Sequence, residues 1–414
     1  MSKVSRRDLL KTAGAVAAAG AIPALASAKS PSRSSRWQGA NDKIVVGVIG
    51  CGGMGFSNAR SMMAFEDVEI GALCDVDESR IPADAKIVED HYERKPTIYK
   101  DYRDMLERKD IDAIIIGSPD HWHALQLIHT CQAGKDIYCE KPISHNLVEA
   151  KKMVEAQRRH KRVVQVGTWQ RSTQVFVDAI EMIRKGKLGK IVHCRAWISD
   201  DTKIGKGKVV PVPKGLDYDA WIGPAEMVPY QQNKVHWNWR WVMNTGGGMT
   251  TDWGVHMMDI ALLGMSKSQD LVMPSVVHAQ GGCWAIENDD RDSPDVTEAL
   301  LKFDDPEFVM TWSVLRDHPG KPGHGTEFVS ADGRTLRVWR SGMEVLDPDG
   351  KALPEEVADP APNHWRDFLD CIKTRNQPRA DLASVAQTTI VCHLVNCSLC
   401  AGESVRFDKE KMDI

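Results

Sequence analysis

The sequence has no surplus of basic residues, only 8 phenylalanines and 6 tyrosines, and no internal repeat. Its 53 lysines and arginines are outnumbered by 57 aspartates and glutamates, so the positive charge that binding a phosphate backbone requires is missing. Nucleic acid is therefore not an expected partner. The apolar stretch near the start, Thr12 to Ala26, is shorter than the roughly 20 residues of a spanning helix, and Pro23 interrupts it, which argues against a membrane anchor. Cysteine is present but unclustered. The ten residues are spread from Cys51 to Cys400 in a chain large enough to bury its own core, which speaks for small buried hydrophobes over a disulfide framework. Cys397-Ser398-Leu399-Cys400 has redox-motif spacing, yet it lies inside an apolar run and reads as a buried helical pair.

What is there begins with Ser5-Arg6-Arg7-Asp8-Leu9-Leu10-Lys11, a twin-arginine element followed by an Ala- and Gly-rich stretch and small residues at Ala24, Ala26 and Ala28. Residues 1–28 read as a cleavable Tat export signal, which implies the Tat translocase as a partner and the periplasm as destination. Removing them moves the formal charge from −4 to −7. Residues 29–41, rich in Ser and Arg, read as a linker.

From residue 42 the pattern alternates. Apolar runs at Ile44–Ile49, Val68–Leu73, Ile111–Ile116, Ile137–Cys139 and Val163–Val166 predict strands. Helices are expected between them at Asn58–Ala64, Ala83–His91, His121–Cys131 and Leu147–Arg158. β-Branched runs separated by helices imply a doubly wound parallel sheet over residues 42–166. After Gly167 the strands (Ile191–Ser199, Val276–Gly281, Thr297–Phe303, Phe308–Val314, Glu327–Ser330, Thr335–Trp339) are longer and several alternate. They predict an α/β domain over 167–414 with a large, mainly antiparallel open sheet, closed by helices Asn363–Lys373 and Leu382–Cys400.

The loop Gly50-Cys51-Gly52-Gly53-Met54-Gly55 follows the first strand and opens a helix, and Asp75 closes the second strand. In that context the glycines give a tight turn, close approach of backbone N–H groups to a pyrophosphate, and helix-sheet packing. A carboxylate at Asp75 accepts from ribose hydroxyls and repels a 2′-phosphate, which favours NAD, while nearby Arg80 keeps NADP open. Ser118-Pro119-Asp120-His121 and Glu140-Lys141-Pro142 end two further strands at the ligand-binding edge. Ser118, Pro119, His123, Glu140 and Lys141 are thus candidate cofactor contacts, with a plain helix-start role the alternative for His121 and His123.

Together with Gly167-Thr168-Trp169-Gln170-Arg171 and the run from Gly246-Gly247-Gly248 through Asp252 and His256 to Asp259, these elements resemble the Gfo/Idh/MocA family of sugar and polyol oxidoreductases. The resemblance implies a Rossmann domain, a substrate-binding and oligomerising C-terminal domain, and dimers or tetramers. It also implies that Lys141 contacts nicotinamide and the substrate hydroxyl, with Asp252 the acidic residue and His256 the general acid/base. Elementary chemistry agrees: a carbinol that gives up hydride must also shed a proton, so a base near neutral pKa and a neighbouring cation are both useful. A helix through this segment would bring Asp252, His256 and Asp259 near one face, and two or three ligands at that spacing make no complete common metal site. Trp169, Arg171, His236 and Arg240 are expected to bind the sugar, and the glycine run to let it approach backbone.

Free nicotinamide cofactor is not expected outside the cytoplasm. An exported enzyme of this kind must carry its cofactor bound through folded export and recycle it, oxidising one sugar while reducing another. The variant with transient oxidation, elimination and re-reduction, the route of NAD-dependent glycoside hydrolases on this fold, is the second reading; the Glu140-Lys141-Pro142 triplet departs from that hydrolase pattern. A catalytically silent sugar-binding module is the third.

Overall fold

In the computed structural model of the chain, residues 43–411 are described; the expected export signal and linker lie outside them. The first layer runs β1 (Ile44–Ile49), α1 (Met54–Met62), β2 (Val68–Cys74), α2 (Pro82–Tyr92), β3 (Thr97–Tyr99), α3 (Tyr102–Leu106), β4 (Ala113–Ile116), α4 (Asp120–Gln132), β5 (Asp136–Cys139), α5 (Leu147–His160) and β6 (Val164–Val166). All six strands pair in parallel, in the order 3-2-1-4-5-6. Val46, Val48, Ile114, Ile115 and Ile116 have no exposed surface, as strands covered on both faces require. Chain order reverses between β1 and β4, which opens a crevice at their carboxyl ends.

The second layer runs α6 (Gln174–Arg184), β7 (Ile191–Ser199), α7 (Tyr218–Ile222), α8 (Gly248–Asp252), α9 (Gly254–Met265), β8 (Val276–Gly282), β9 (Val296–Asp304), β10 (Glu307–Leu315), β11 (His324–Ser330), β12 (Thr335–Trp339), β13 (Gly342–Leu346), α10 (His364–Thr374), α11 (Leu382–Ala401) and β14 (Val405–Arg406). Its eight strands lie in the order 13-12-11-7-10-9-8-14, and only β7 with β10 is a parallel pair. Strict alternation in β9 and β10 turns Leu301, Phe303, Phe308, Met310, Trp312 and Val314 inward. Burying each such side chain stabilises the fold by about 1.5–3 kcal/mol. α11 is long and apolar enough to cross a membrane, but here it is a core helix, mostly buried, capped by Asp381 and stopped by Gly402 at φ +69°.

Three differences from the sequence reading matter. The short strands β3, β13 and β14 carry too few apolar residues to stand out as periodic runs. The cysteine pair at the end of α11 is not buried as a pair: Cys397 is half-buried and Cys400 exposed, because the last turn of the helix leaves the core. The helix expected through Asp252 and Asp259 is two helices, broken at Trp253. Gly254 restarts it where a Cβ would stand 2.8 Å from Met258 Cε, with Trp312 and Cys392 packed behind.

Candidate functional site

β1 ends in Gly50 at φ +81°, whose N–H donates to Cys74 O (2.9 Å) and where a Cβ would lie 2.6 Å from Ser118 N. On Gly55 a Cβ would stand 1.9 Å from Gly50 O, so only glycine lets α1 start this close to the strand. No side chain caps α1, which leaves its first N–H groups for a ligand. Asp75 ties the loop to β2: its Oδ2 accepts from Cys51 N and its Oδ1 from Asp77 N, both at 2.9 Å. Each oxygen keeps a lone pair for a further donor. Burial raises the Asp75 pKa, opposed by those two N–H groups.

A cavity of about 390 Å³ runs along this edge. Gly50, Gly52, Gly53, Met54, Asp75, Ser118, Pro119, His123, Glu140 and Lys141 line it; Gly55 lies beneath, holding the helix against the strand. Close-approach glycines, an uncapped helix start and a carboxylate at the end of β2 are the parts a dinucleotide needs, and the residues present fit one. Some of the lining is committed internally. Ser118 Oγ donates to Gln126 Oε1 (2.6 Å), and Glu140 accepts from Asn58 Nδ2 (2.7 Å). His123 lies with its ring nitrogens 2.7 Å from Pro142 O and from Ser118 O, so it fixes two loops at the cavity wall that it lines.

Lys141 connects the cavity to a second group of residues. Its Nζ donates to Asp252 Oδ1 (2.6 Å) and to Asp252 O (3.0 Å), and Arg240 Nε lies 3.3 Å from the same Oδ1. Burial works to raise the Asp252 pKa, but Lys141 and Arg240 overcome it and hold the group below the usual carboxylate range. His256 sits close enough to feel the Lys141 charge, between the rings of Trp169 and Trp253 at 6.4 and 6.2 Å. Its Nδ1 is buried without a hydrogen-bond partner. Burial first, then Lys141, Arg340 and His324, push its pKa well down, so the resting imidazole is neutral.

Three residues in this neighbourhood escaped the sequence reading. Arg340 lies over Trp253 (4.1 Å) and Trp169 (4.8 Å), and the His324 ring lies tilted beside Trp253 at 5.1 Å. Asp120, at the start of α4, is fully buried with Oδ1 unpartnered. Burial drives its pKa far up, against the pull of Arg240 and Lys141. No sequence motif surrounds Arg340 or His324, and only the fold brings the start of β11 and the turn after β12 beside Trp253. Asp120 was in view but lies in a helix-start position that usually means a cap.

Other expectations are corrected. Arg171 does not reach the cavity: its Nη2 and Nε pair with both oxygens of Asp259 (2.6 and 2.7 Å), with side chains 2% and 1% exposed. This is a core ion pair, which removes Asp259 from the site as well. His236 lies 3.3 Å from Asp77 Oδ2 and lines the same cavity as Lys141 and Arg240. The glycine run is packed against protein, Gly246 on Arg240 backbone and Gly248 (φ +67°) on Ser293, and offers no open backbone to a sugar.

Fold and cavity together define a dinucleotide-binding oxidoreductase with a two-layer α/β architecture. Residues 44–168 match the family model for an NAD-binding Rossmann oxidoreductase domain, residues 196–414 that for its C-terminal α/β domain, and residues 3–23 that for a twin-arginine translocation signal. The chain belongs to the Gfo/Idh/MocA oxidoreductase family, NAD is the cofactor of that fold, and the signal is one for export across a membrane. A protein named glycosyl hydrolase family 109 protein, from Shewanella putrefaciens, is 31% identical over 213 residues, 47% of this chain and 46% of its own length. The chain thus spans about half the length of the curated relatives it matches. Among solved structures, the aldose-aldose oxidoreductase of Caulobacter crescentus, in complex with glycerol, shares the fold at TM-score 0.65 and 17% identity, over 88% of this chain and 100% of that one. The WlbA dehydrogenase of Bordetella pertussis, in complex with NADH and UDP-GlcNAcA, does so at 0.63 and 17%, over 88% and 99%.

Proposed function

We propose that this protein is an exported oxidoreductase that moves hydride between a retained NAD and a hydroxyl of a sugar, polyol or glycoside. The observation that carries the reading is the junction at Lys141, which lines the cavity and is bonded to Asp252, with neutral His256 beside it. NAD, when bound, accepts and returns the hydride. Lys141 Nζ has one N–H left after its two bonds to Asp252, and that donor holds the substrate oxygen and stabilises its developing negative charge. As the carbinol carbon loses hydride, the hydroxyl proton passes to the His256 imidazole, leaving a carbonyl. In the reverse direction His256 returns the proton to the oxygen of a second carbonyl substrate. Asp252 keeps Lys141 charged and aimed; Trp169 and Arg240 supply an aromatic face and a planar donor for the sugar. Residues 42–166 form the nucleotide domain and 167–414 the substrate and oligomerisation domain of a periplasmic homodimer or homotetramer.

The relatives named as glycoside hydrolases favour a second reading, in which oxidation, elimination and re-reduction release an aglycone with no net redox change. One experiment addresses both. Protein purified with its cofactor is mixed with paired sugars or with aryl glycosides, as wild type, Lys141→Ala and His256→Asn. Interconversion of sugars that both variants lose supports the first reading, and aglycone release without net oxidation replaces it with the second. Full turnover in His256→Asn would refute the proton path in either.

A further inference from the structure

The Arg340 guanidinium is half-buried and has no carboxylate within ion-pair distance among the described residues. Its Nε donates to Gln170 Oε1 (3.1 Å), its plane rests over Trp169 and Trp253, and the remaining N–H donors at both Nη atoms have no side-chain acceptor. Most other buried arginines of this chain are matched: Arg171 with Asp259, Arg291 with Asp200, Arg337 with Glu327. Around Arg340 the charges do not cancel. Lys141, Arg240 and Arg340 are three cations; Asp252 is bonded to the first two, and Glu140, which burial pushes toward its neutral form against the pull of Lys141 and Arg240, is committed to Asn58 Nδ2 and the Lys141 backbone N–H. Asp120 is pushed toward its neutral form, and His256 and His324 toward theirs, chiefly by burial. An uncompensated cation in a partly desolvated site is costly unless a ligand brings the counter-charge. A guanidinium whose Nη1/Nη2 edge is free accepts a two-oxygen anion in bidentate fashion. Arg340 is outside the dinucleotide cavity lining, so the pyrophosphate is not that anion. Trp169, Trp253, His324 and Arg340 are each half-buried, leaving the place reachable.

From this surplus of positive charge beside His256, we infer that the substrate is an acidic sugar whose carboxylate or sulfate seats on Arg340. The inference rests on the sugar reading above and names its class. The oxygen that reacts lies toward Lys141 and His256, and the anion lies on the far side of His256 against the two tryptophans.

The test uses cofactor-loaded protein and isothermal titration with matched probes: methyl glucuronide and methyl glucoside, methyl galacturonide and methyl galactoside, and the 6-sulfates of the two neutral sugars. In at least one series the acidic member binds about tenfold to a hundredfold tighter than the neutral one, and the difference shrinks with salt. Arg340→Gln abolishes that preference while bound NAD stays at the wild-type level, and Arg340→Lys restores part of it. The relative binding of uronide and sulfate tells which anion is used. Equal binding of acid and neutral members in every series, no binding by any acidic probe, or a preference that survives Arg340→Gln overturns the inference. Should acidic sugars bind through Arg340 with no change in nicotinamide absorbance on any sugar, the oxidoreductase reading fails while this one stands.

Discussion

The chain contains two lysine- or arginine-aspartate pairs that the sequence placed in one site, and the structure gives them opposite consequences when broken. Arg171→Ala removes the only cation bonded to Asp259 among the described residues; the Asp259 side chain is 1% exposed and then keeps the hydroxyl donor Thr388 Oγ1 at 2.6 Å. Ser384 Oγ loses the donor Arg171 Nη1 but keeps its bond to Asp381. Leaving a buried carboxylate without its counter-charge costs about 3–5 kcal/mol. For domains of this size that lowers Tm by roughly 6–20 °C. Lys141→Ala, by contrast, leaves Asp252 with Arg240 at 3.3 Å and relieves repulsion among three cations. Its expected cost is about 1 kcal/mol or less, in keeping with site charges arranged for chemistry. The assay is thermal unfolding of both variants with their cofactor content measured in parallel. Equal destabilisation by the two, or a Lys141→Ala variant less stable than Arg171→Ala, would refute the division into core pair and site pair.

Gly55→Ala places a methyl group 1.9 Å from Gly50 O and must push α1 off the strand; the variant is expected to fold yet lose its bound dinucleotide, measured as the absorbance ratio of the purified protein. Acid sensitivity should come from buried histidines. His364 and His393 are pulled down to about 3, mainly by burial, from an ordinary value near ~6.5. Their neutral forms favour the fold fully above that ordinary value, and the contribution is lost as pH falls below it, by about 2 kcal/mol each at pH 5. Urea unfolding at pH 7 and pH 5 checks this; a stability unchanged over that interval contradicts it. Replacing His393 by Gln should flatten the dependence, because an amide can still donate to Ser144 O and does not titrate.

The parallel sheet was legible because its strands are almost wholly buried, so β1 and β4 read as unbroken apolar runs and β2 as one interrupted only by Glu69, and because Gly50, Gly55 and Asp75 sit at spacings that one turn geometry demands. The contacts among Lys141, Asp252 and His256 were anticipated only through resemblance, since 111 residues separate Lys141 from Asp252. What stayed hidden depends on tertiary pairing. Arg171 looked like a site residue because a planar donor suits sugar hydroxyls, and Asp259 because a helix would set it on the face of Asp252 and His256; each was in fact the other's partner. The glycine run likewise turned on what the fold set beside it, Arg240 and Ser293. Arg340 and His324 have no local signature at all, and their place emerges only when the start of β11 and the turn after β12 meet Trp253.

The central claim is that the glycine loop holds a dinucleotide that works without leaving. Its most direct test is to purify the exported protein from the periplasm, with no cofactor added, and follow its nicotinamide absorbance while sugars are supplied. The account predicts co-purifying NAD whose spectrum shifts to the reduced form with a donor sugar and back with an acceptor. A protein that emerges without dinucleotide, or whose bound NAD no sugar reduces, would contradict it.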